Sequence, residues 1–164
     1  MFAPDLKDAA QHLVDDLRQR NLKLVTAESC TGGTIAGVIT EIAGASDVFD
    51  RGYVTYSNAA KSTELTVDAK LIAENGAVSL VVGEAMALGA LTASGADVSV
   101  SVTGIAGPGG GTPDKPVGLV YIAAAKTDGS VISERKTFGD IGRSNVRLAT
   151  IKSAIALVQT LLQA

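Results

Sequence analysis

Short apolar strands alternate with amphipathic helices along the 164-residue chain, and this alternation restricts its fold more than any other feature. Residues 22–27 form a short apolar run suited to a buried strand, whereas residues 5–21 place apolar side chains three and four apart, as one face of a helix does. The predicted strands cover residues 22–27, 48–57, 97–104 and both arms of a hairpin at 118–138, and the predicted helices cover residues 5–21, 34–44, 59–65, 68–76, 79–92 and 143–164. This order predicts a single α/β domain over residues 1–164, with three α/β/α layers around a mixed, mostly parallel sheet of about five strands.

Turn and cap residues support these boundaries. Asp68 and Ser79 are typical helix N-caps, and Gly44 and Gly76 stand where the preceding helices are expected to end. The Asp-Gly pair at 128–129 is the strongest hairpin signal in the chain, so the sheet is expected to finish with a late antiparallel hairpin.

The strand at 97–104 alternates Val with Ser. Because successive side chains point to opposite faces of a strand, Ser99 and Ser101 share one face. Their small size predicts that a helix lies close on that side.

Charge and composition exclude several classes of partner. Hydrophobic residues make up 46% of the chain and charged residues 19%, the net charge is −3, and no basic cluster occurs. Nucleic-acid and anionic-membrane surfaces need grouped Lys and Arg, so neither partner is expected. The apolar runs fall short of the roughly 20 residues of a membrane span, and the N-terminus lacks a signal-peptide pattern, which predicts a cytoplasmic protein.

Metal and cofactor motifs are missing as well. The chain has one His and one Cys, which are too few for a zinc site or an internal disulfide. The glycine-rich stretch at 104–118 lacks the Gly-Lys-Ser/Thr of a P-loop and the G-x-G-x-x-G of a dinucleotide fold. No metal and no cofactor are therefore expected.

The stretch TAESCTGG, residues 26–33, concentrates reactive groups between a strand and a helix. Ser29 and Cys30 are the candidate nucleophiles, because they precede the free N–H groups of residues 31–34 at the start of the predicted helix. Those groups are candidates for an oxyanion hole, and Gly32 and Gly33 would let a substrate approach the backbone. The competing interpretation is that Ser29 or Thr31 is only a helix N-cap.

A serine nucleophile needs a base, and histidine does not supply one here. His12 lies among polar residues of the first predicted helix, where a solvent-exposed position is expected. The stretch VTYSNAAKS offers Tyr56 and Lys61 instead. A lysine in an apolar cleft has a lowered pKa and can accept the serine proton. The alternative is that Lys61 is an ordinary solvated lysine on a helix.

Five segments occur in a fixed order: TAESCTGG, RGYVTYSNAAK, NGAVS, SVTGIAGPGGGTPDKPVG and YIA. Together they closely resemble the C-terminal domain of the competence/damage-inducible CinA proteins and the stand-alone nicotinamide-nucleotide amidases of the same family. The resemblance implies a three-layer α/β/α fold, hydrolysis of nicotinamide mononucleotide to nicotinate mononucleotide and ammonia without metal or cofactor, and a homodimer. Larger CinA proteins carry an additional N-terminal domain with a pyrophosphatase activity, which is expected to be missing here.

The resemblance also assigns roles to individual residues. It implies that Ser29 is the nucleophile, assisted by Tyr56 and Lys61, and leaves open which of the two is the direct base. The segment 103–108, which begins with Thr103 and Gly104, matches the loop that shapes the substrate pocket. Arg143 is the candidate for the ligand's phosphate, with Arg147 as the alternative.

Two other hypotheses remain at this point. In the first, Cys30 is the nucleophile of an amidase that also uses Glu28 and Lys61. Side chains 28 and 30 project to one side of an extended strand and 29 to the other. With Ser29 as the nucleophile, Glu28 is expected to orient the loop or a backbone amide rather than to act as the base. In the second, the chain is a nucleotide-binding regulatory or adaptor module that uses the same pocket without turnover.

Overall fold

The computed structural model describes all 164 residues as five β-strands and six α-helices. The strands are β1 (Leu24–Glu28), β2 (Phe49–Val54), β3 (Val98–Gly104), β4 (Leu119–Lys126) and β5 (Val131–Thr137). The helices are α1 (Pro4–Gln19), α2 (Thr34–Thr40), α3 (Asn58–Leu65), α4 (Ala69–Asn75), α5 (Leu80–Ser94) and α6 (Arg143–Gln163). No helix is both long and apolar enough to cross a membrane.

The five strands form one mixed sheet in the order β2-β1-β3-β4-β5. β2, β1 and β3 run parallel, with Glu28 opposite both Val54 and Val102. β4 and β5 add antiparallel pairs, and the turn at 127–129 joins them as the predicted hairpin. The α/β class, the mixed sheet and the late hairpin are confirmed.

Helices cover both faces of the sheet. α1, α2 and α6 pack on one face over a core that includes Leu24, Val100 and Ile122. α3, α4 and α5 cover the other face, where Val25 and Ala27 belong to a second, smaller core. Leu24 and Val25 enter different cores because successive side chains of β1 point to opposite faces.

The serine face of β3 lies against α5, as the alternation predicted. The Ser99 hydroxyl donates to the Ala87 carbonyl at 2.8 Å, and the Ser101 hydroxyl donates to the Gly83 carbonyl at 2.6 Å. Close packing extends to the next helix, since a Cβ on Gly89 would lie 2.0 Å from the carbonyl oxygen of Leu65. Only glycine fits at this crossing of α3 and α5.

Most helix ends fall where the sequence placed them. Asp68 and Ser79 cap α4 and α5, and Gly76 follows α4. The prediction that one helix runs to Gly44 is wrong, because α2 ends at Thr40. Gly44 instead has a φ of +77° and begins a short 3₁₀ turn, and Ile42 is still buried. The apolar periodicity therefore continues past the point where the helical hydrogen bonds stop.

The chain reverses its direction across the sheet between β1 and β3. α2 connects β1 to β2 over one face, whereas α3, α4 and α5 connect β2 to β3 over the other. Ligands of open α/β sheets bind outside the carboxyl ends of the strands at such a switch point. Ser29 follows β1 directly at this edge. The edge is therefore the expected position of a ligand site.

Candidate active site

Ser29 is held at the carboxyl edge of the sheet by backbone pairing that continues past the strand ends. Its N–H donates to the Val102 carbonyl at 3.0 Å, and the Thr55 N–H donates to the Glu28 carbonyl at 2.9 Å. The Ser29 side chain is half-buried. The nucleophile candidate thus stands on rigid backbone, with its hydroxyl within reach of a cleft.

Lys61 approaches Ser29 from the second turn of α3, a helix that Ser57 caps at its N-terminus. The Lys61 Nζ atom lies 3.1 Å from Ser29 Oγ and donates to the Thr55 carbonyl at 2.8 Å. The side chain is only 1% exposed and forms no ion pair, so the alternative of a solvated lysine is wrong. Burial lowers the pKa of the Lys61 amine, because desolvation penalises its charged form. The structure thus brings Lys61 and Ser29 together, as the hypothesis of a serine nucleophile with a lysine base requires.

Glu28 points to the opposite side of β1 and is fully buried. Its carboxylate accepts hydrogen bonds from the N–H groups of Ile35 and Ala36 at 2.9 and 2.8 Å, and from the Thr31 hydroxyl at 2.6 Å. The carboxylate therefore occupies the N-terminal end of α2, where negative charge is favourable. These contacts with the loop and with backbone amides are the kind expected for Glu28 from the sequence.

The loop from Cys30 to Gly33 offers a different set of amides from the predicted one. The N–H groups of Gly32 and Thr34 are already used, by the carbonyls of Ser29 and Thr31. Those of Cys30, Thr31 and Gly33 have no acceptor within the protein. Candidate oxyanion donors are thus present, but the loop itself uses two amides of the expected set, and of the three free amides only that of Cys30 belongs to a residue that lines the cleft.

Cys30 is an unfavourable nucleophile in this setting. Its side chain is 5% exposed, and burial raises the pKa of the thiol to about 11. The thiol is therefore protonated near neutral pH, where the thiolate is the reactive form.

The cleft in front of Ser29 has a volume of about 260 Å³. The segments that follow β1, β2 and β3 form its walls, together with the start of α6. The residues that line it are Ser29, Cys30, Tyr56, Gly104, Ile105, Ala106, Gly107, Gly109, Gly110 and Arg143. A larger groove of about 460 Å³ between α3 and α4 contains none of the predicted site residues.

Tyr56 and Arg143 contact each other at the rim of this cleft. Arg143 Nη2 donates to the Tyr56 hydroxyl at 2.9 Å, and Nη1 donates to the Gly107 carbonyl at 2.9 Å. The Tyr56 side chain is 60% exposed and forms no hydrogen bond with Ser29 or Lys61. The structure brings Tyr56 into the site, but as the partner of Arg143.

Two other residues that the sequence analysis named, Thr103 and Arg147, do not line the cleft. Thr103 is buried, and its hydroxyl donates to the Ala77 carbonyl at 2.8 Å, away from the residues that line the cleft, whereas the adjacent Gly104 does line it. Arg147 does not line the cleft, and its Nη2 donates to the Thr31 carbonyl and the Thr34 hydroxyl at 2.8 and 2.9 Å.

Sequence reasoning missed one contributor to the site. The carbonyl of Thr55 anchors the Lys61 amine, and nothing in the residue type signals this, because any residue supplies a carbonyl. His12 is exposed on α1, as expected. No group of three or more His, Cys, Asp or Glu side chains is arranged to hold a metal ion.

The sequence profile of the CinA C-terminal domain family matches residues 6–162, which is nearly the whole chain. The chain belongs to the CinA C-terminal domain family. This membership explains why TAESCTGG and the four other segments noted above all occur in this one sequence.

Relatives of this CinA domain differ in length. A CinA-like protein of Citrifermentans bemidjiense is 53% identical over 156 residues, which cover 94% of this chain and 37% of that protein. The chain spans less than two-fifths of the length of such CinA-like relatives. The nicotinamide-nucleotide amidohydrolase PncC of Escherichia coli K12 is 45% identical over 163 residues, which cover 99% of both chains.

A solved structure shares the fold of the CinA domain over its full length. The competence/damage inducible protein CihA from Agrobacterium tumefaciens superposes with a TM-score of 0.97, is 46% identical, and matches 100% of this chain and 99% of its own. Similarity at this level supports the same backbone around the cleft.

Proposed function

We propose that the chain hydrolyses the carboxamide of nicotinamide mononucleotide to nicotinate mononucleotide and ammonia. The observation that carries this proposal is the 3.1 Å contact between Ser29 Oγ and the buried amine of Lys61 at a cleft rimmed by Arg143. The relative of similar length from Escherichia coli is named as an amidohydrolase of nicotinamide nucleotide, which supports both the reaction class and the substrate.

The reaction begins with proton transfer from Ser29 to the neutral amine of Lys61. Ser29 Oγ then attacks the carboxamide carbon. The free amides of the loop are assigned as donors to the oxygen of the tetrahedral intermediate, Cys30 first because it lines the cleft. The ammonium of Lys61 returns its proton to the departing nitrogen, so ammonia leaves and a nicotinoyl ester remains on Ser29. Water, deprotonated by Lys61, cleaves that ester and releases nicotinate mononucleotide.

Arg143 is assigned to the phosphate of the substrate. Its guanidinium lines the cleft, and Nη1 and Nη2 each keep a second N–H beside their bonds to Gly107 and Tyr56, so a pair of donors remains for charge-assisted hydrogen bonds to phosphate. Tyr56 then acts as a positioning residue for Arg143, and Lys61 is the direct base. Arg147, whose Nη2 already bonds Thr31 and Thr34, is not needed for the phosphate.

The proposal is tested by measuring ammonia release from nicotinamide mononucleotide, with nicotinamide riboside as the comparison substrate. The wild-type protein is expected to release ammonia from the mononucleotide, and the Ser29→Ala variant is expected to lose this activity while Cys30→Ala keeps it. Saturable binding of the mononucleotide without turnover would contradict the proposal and favour the regulatory or adaptor module. The homodimer implied by the resemblance stays a prediction that sedimentation of the purified protein can check.

A further inference from the structure

We propose that Arg147 is a positioning residue for the reaction at Ser29: it holds the loop from Cys30 to Gly33 so that the free amides face the reacting carbonyl. This inference rests on the proposed function, because it assigns Arg147 a part in the same chemistry. The role differs from that of Arg143, which lies one turn earlier on α6 and reaches the cleft itself.

Thr31 is the point at which Arg147 acts. Arg147 Nη2 donates to the Thr31 carbonyl at 2.8 Å and to the Thr34 hydroxyl at 2.9 Å. The Thr34 hydroxyl in turn donates to the same Thr31 carbonyl. On its other side, the Thr31 hydroxyl donates to the Glu28 carboxylate at 2.6 Å. A buried anion and a cation thus hold Thr31 from two directions.

The loop needs such a restraint because two glycines follow Thr31. Gly32 and Gly33 have φ angles of +61° and +90°, in the left-handed region that glycine adopts readily but not exclusively. Within the loop, the Gly32 and Thr34 N–H groups bond to the carbonyls of Ser29 and Thr31, and Arg147 adds a restraint from α6. Donors stabilise an oxyanion strongly only when they are preorganised, since reorientation during the reaction would cancel the gain.

The placement of the Arg147 charge supports the same role. A Cβ on Gly32 would lie 3.6 Å from Arg147 Nη2, so the guanidinium sits directly against the loop. Its positive charge therefore stands next to the loop that carries the free amides. Arg147 Nε is buried and has no hydrogen-bond partner within the protein, so the guanidinium contacts this loop through Nη2.

The experiment compares Arg147→Met and Arg147→Lys with Lys152→Met, a control that removes an exposed cation from the same helix. With nicotinamide mononucleotide as substrate, Arg147→Met is expected to lower kcat by about 10- to 100-fold and to leave KM within about twofold. This loss of kcat is smaller than the loss expected from deleting a direct oxyanion donor. Arg147→Lys is expected to recover part of kcat, and Lys152→Met to match the wild type. An unchanged kcat, or a raised KM with kcat intact, would overturn the inference, since the second result describes a ligand contact.

A second readout separates this inference from the choice of substrate. A fluorophosphonate phosphonylates serine nucleophiles by forming an Oγ–P bond while fluoride leaves, and here the Ser29 proton would pass to Lys61. The labelling rate of Ser29, followed by mass spectrometry, is expected to fall at least tenfold in Arg147→Met even if the mononucleotide is not hydrolysed. Equal labelling rates in wild type and variant would refute the role of Arg147, and labelling without amide hydrolysis would refute only the proposed substrate.

Should Arg147→Met fail to fold, as judged by circular dichroism, Thr34→Val provides the same comparison. This variant keeps Arg147 and removes one of its two acceptors. Its kcat is expected to fall by roughly three- to tenfold with KM unchanged. A wild-type kcat in a folded Thr34→Val protein would count against the inference.

Discussion

The amine of Lys61 lies 3.1 Å from the hydroxyl of Ser29, although 32 positions separate the two residues in the chain. The contact arises because β1 and β2 are neighbours in the sheet, so that the segments after both strands reach the same edge. A hydroxyl beside a desolvated amine resembles the nucleophile-base pairs in which no histidine takes part.

The first prediction concerns the charge of Lys61. Lys61→Met and Lys61→Arg are both expected to lower kcat/KM by roughly 10³-fold or more, because arginine keeps a cation but cannot give up its proton near neutral pH. Lys70→Met, which removes an exposed lysine from α4, is the matched control and is expected to retain full activity. Substantial ammonia release by Lys61→Arg would show that Lys61 contributes only its charge.

The second prediction follows from the lowered pKa of Lys61. Because the free amine is the active form, kcat/KM is expected to rise with pH, with a midpoint below the ordinary lysine value of 10.5. Stability should follow the same direction. Between the lowered folded pKa and the unfolded value the unfolded chain binds more protons, so the free energy of unfolding rises with pH across this window. Measuring both quantities in the wild type and in Lys61→Met checks the assignment, since the variant should lose this pH dependence.

The third prediction separates Cys30 from Ser29. With a thiol pKa of about 11, only about one molecule in a thousand carries the thiolate at pH 8. Cys30→Ala is therefore expected to keep kcat within a few-fold of the wild type, and native Cys30 should react with iodoacetamide far more slowly than in urea. Loss of ammonia release in a folded Cys30→Ala protein, with activity retained in Ser29→Ala, would reverse the assignment of the nucleophile.

The fourth prediction tests the contact between Arg143 and the phosphate. Arg143→Met is expected to raise KM for the mononucleotide by about 10- to 100-fold, the value of one or two charge-assisted hydrogen bonds, and to leave the kinetics with the riboside unchanged. Arg135→Met, an exposed arginine on β5, serves as the control. Equal losses with both substrates would indicate that Arg143 supports the cleft rather than the phosphate.

Tyr56→Phe extends this comparison, because it removes only the hydroxyl that accepts from Arg143. A positioning role predicts a change in KM for the mononucleotide of a few-fold and an unaltered kcat. A proton relay through Tyr56 predicts a lower kcat with both substrates instead.

Much of this architecture could be predicted from local patterns. The alternation in β3 placed Ser99 and Ser101 on the face that packs against α5, and the alternation at the end of β1 separated Glu28 from Ser29. Both results depend only on the two-residue period of a strand, which tertiary contacts do not alter. Predictions of this kind are reliable because a shift by one residue would exchange the two faces.

The sequence could not predict features that depend on hydrogen-bond partners from distant parts of the chain. Periodicity extended α2 to Gly44, but periodicity records burial and not the hydrogen bonds of the helix, and Arg18 donates to the Gly44 carbonyl after the helix has ended. The partner of Tyr56 is 87 positions away, and no local signal indicates it. The four-residue spacing of Arg143 and Arg147 predicts a shared face of α6, yet only the fold shows that one reaches the cleft and the other the Thr31 carbonyl.

The fifth prediction concerns Glu28, whose carboxylate accepts from the amides of Ile35 and Ala36 and from the Thr31 hydroxyl. In Glu28→Gln one acceptor oxygen becomes an NH₂ group, which would face a backbone N–H and leave that donor unpaired in the interior. The free energy of unfolding is expected to fall by about 2–4 kcal/mol, because a buried charge-assisted hydrogen bond is lost and a donor is left unsatisfied.

Urea unfolding followed by circular dichroism measures this change. Glu41→Gln is the matched control, since Glu41 lies near the surface in an ion pair with Lys7 and should leave the free energy of unfolding almost unchanged. A Glu28→Gln protein as stable as that control would mean that the α2 amides find other acceptors. In that case the carboxylate would not fix the start of α2, and the loop that carries Thr31 would depend on Arg147 alone.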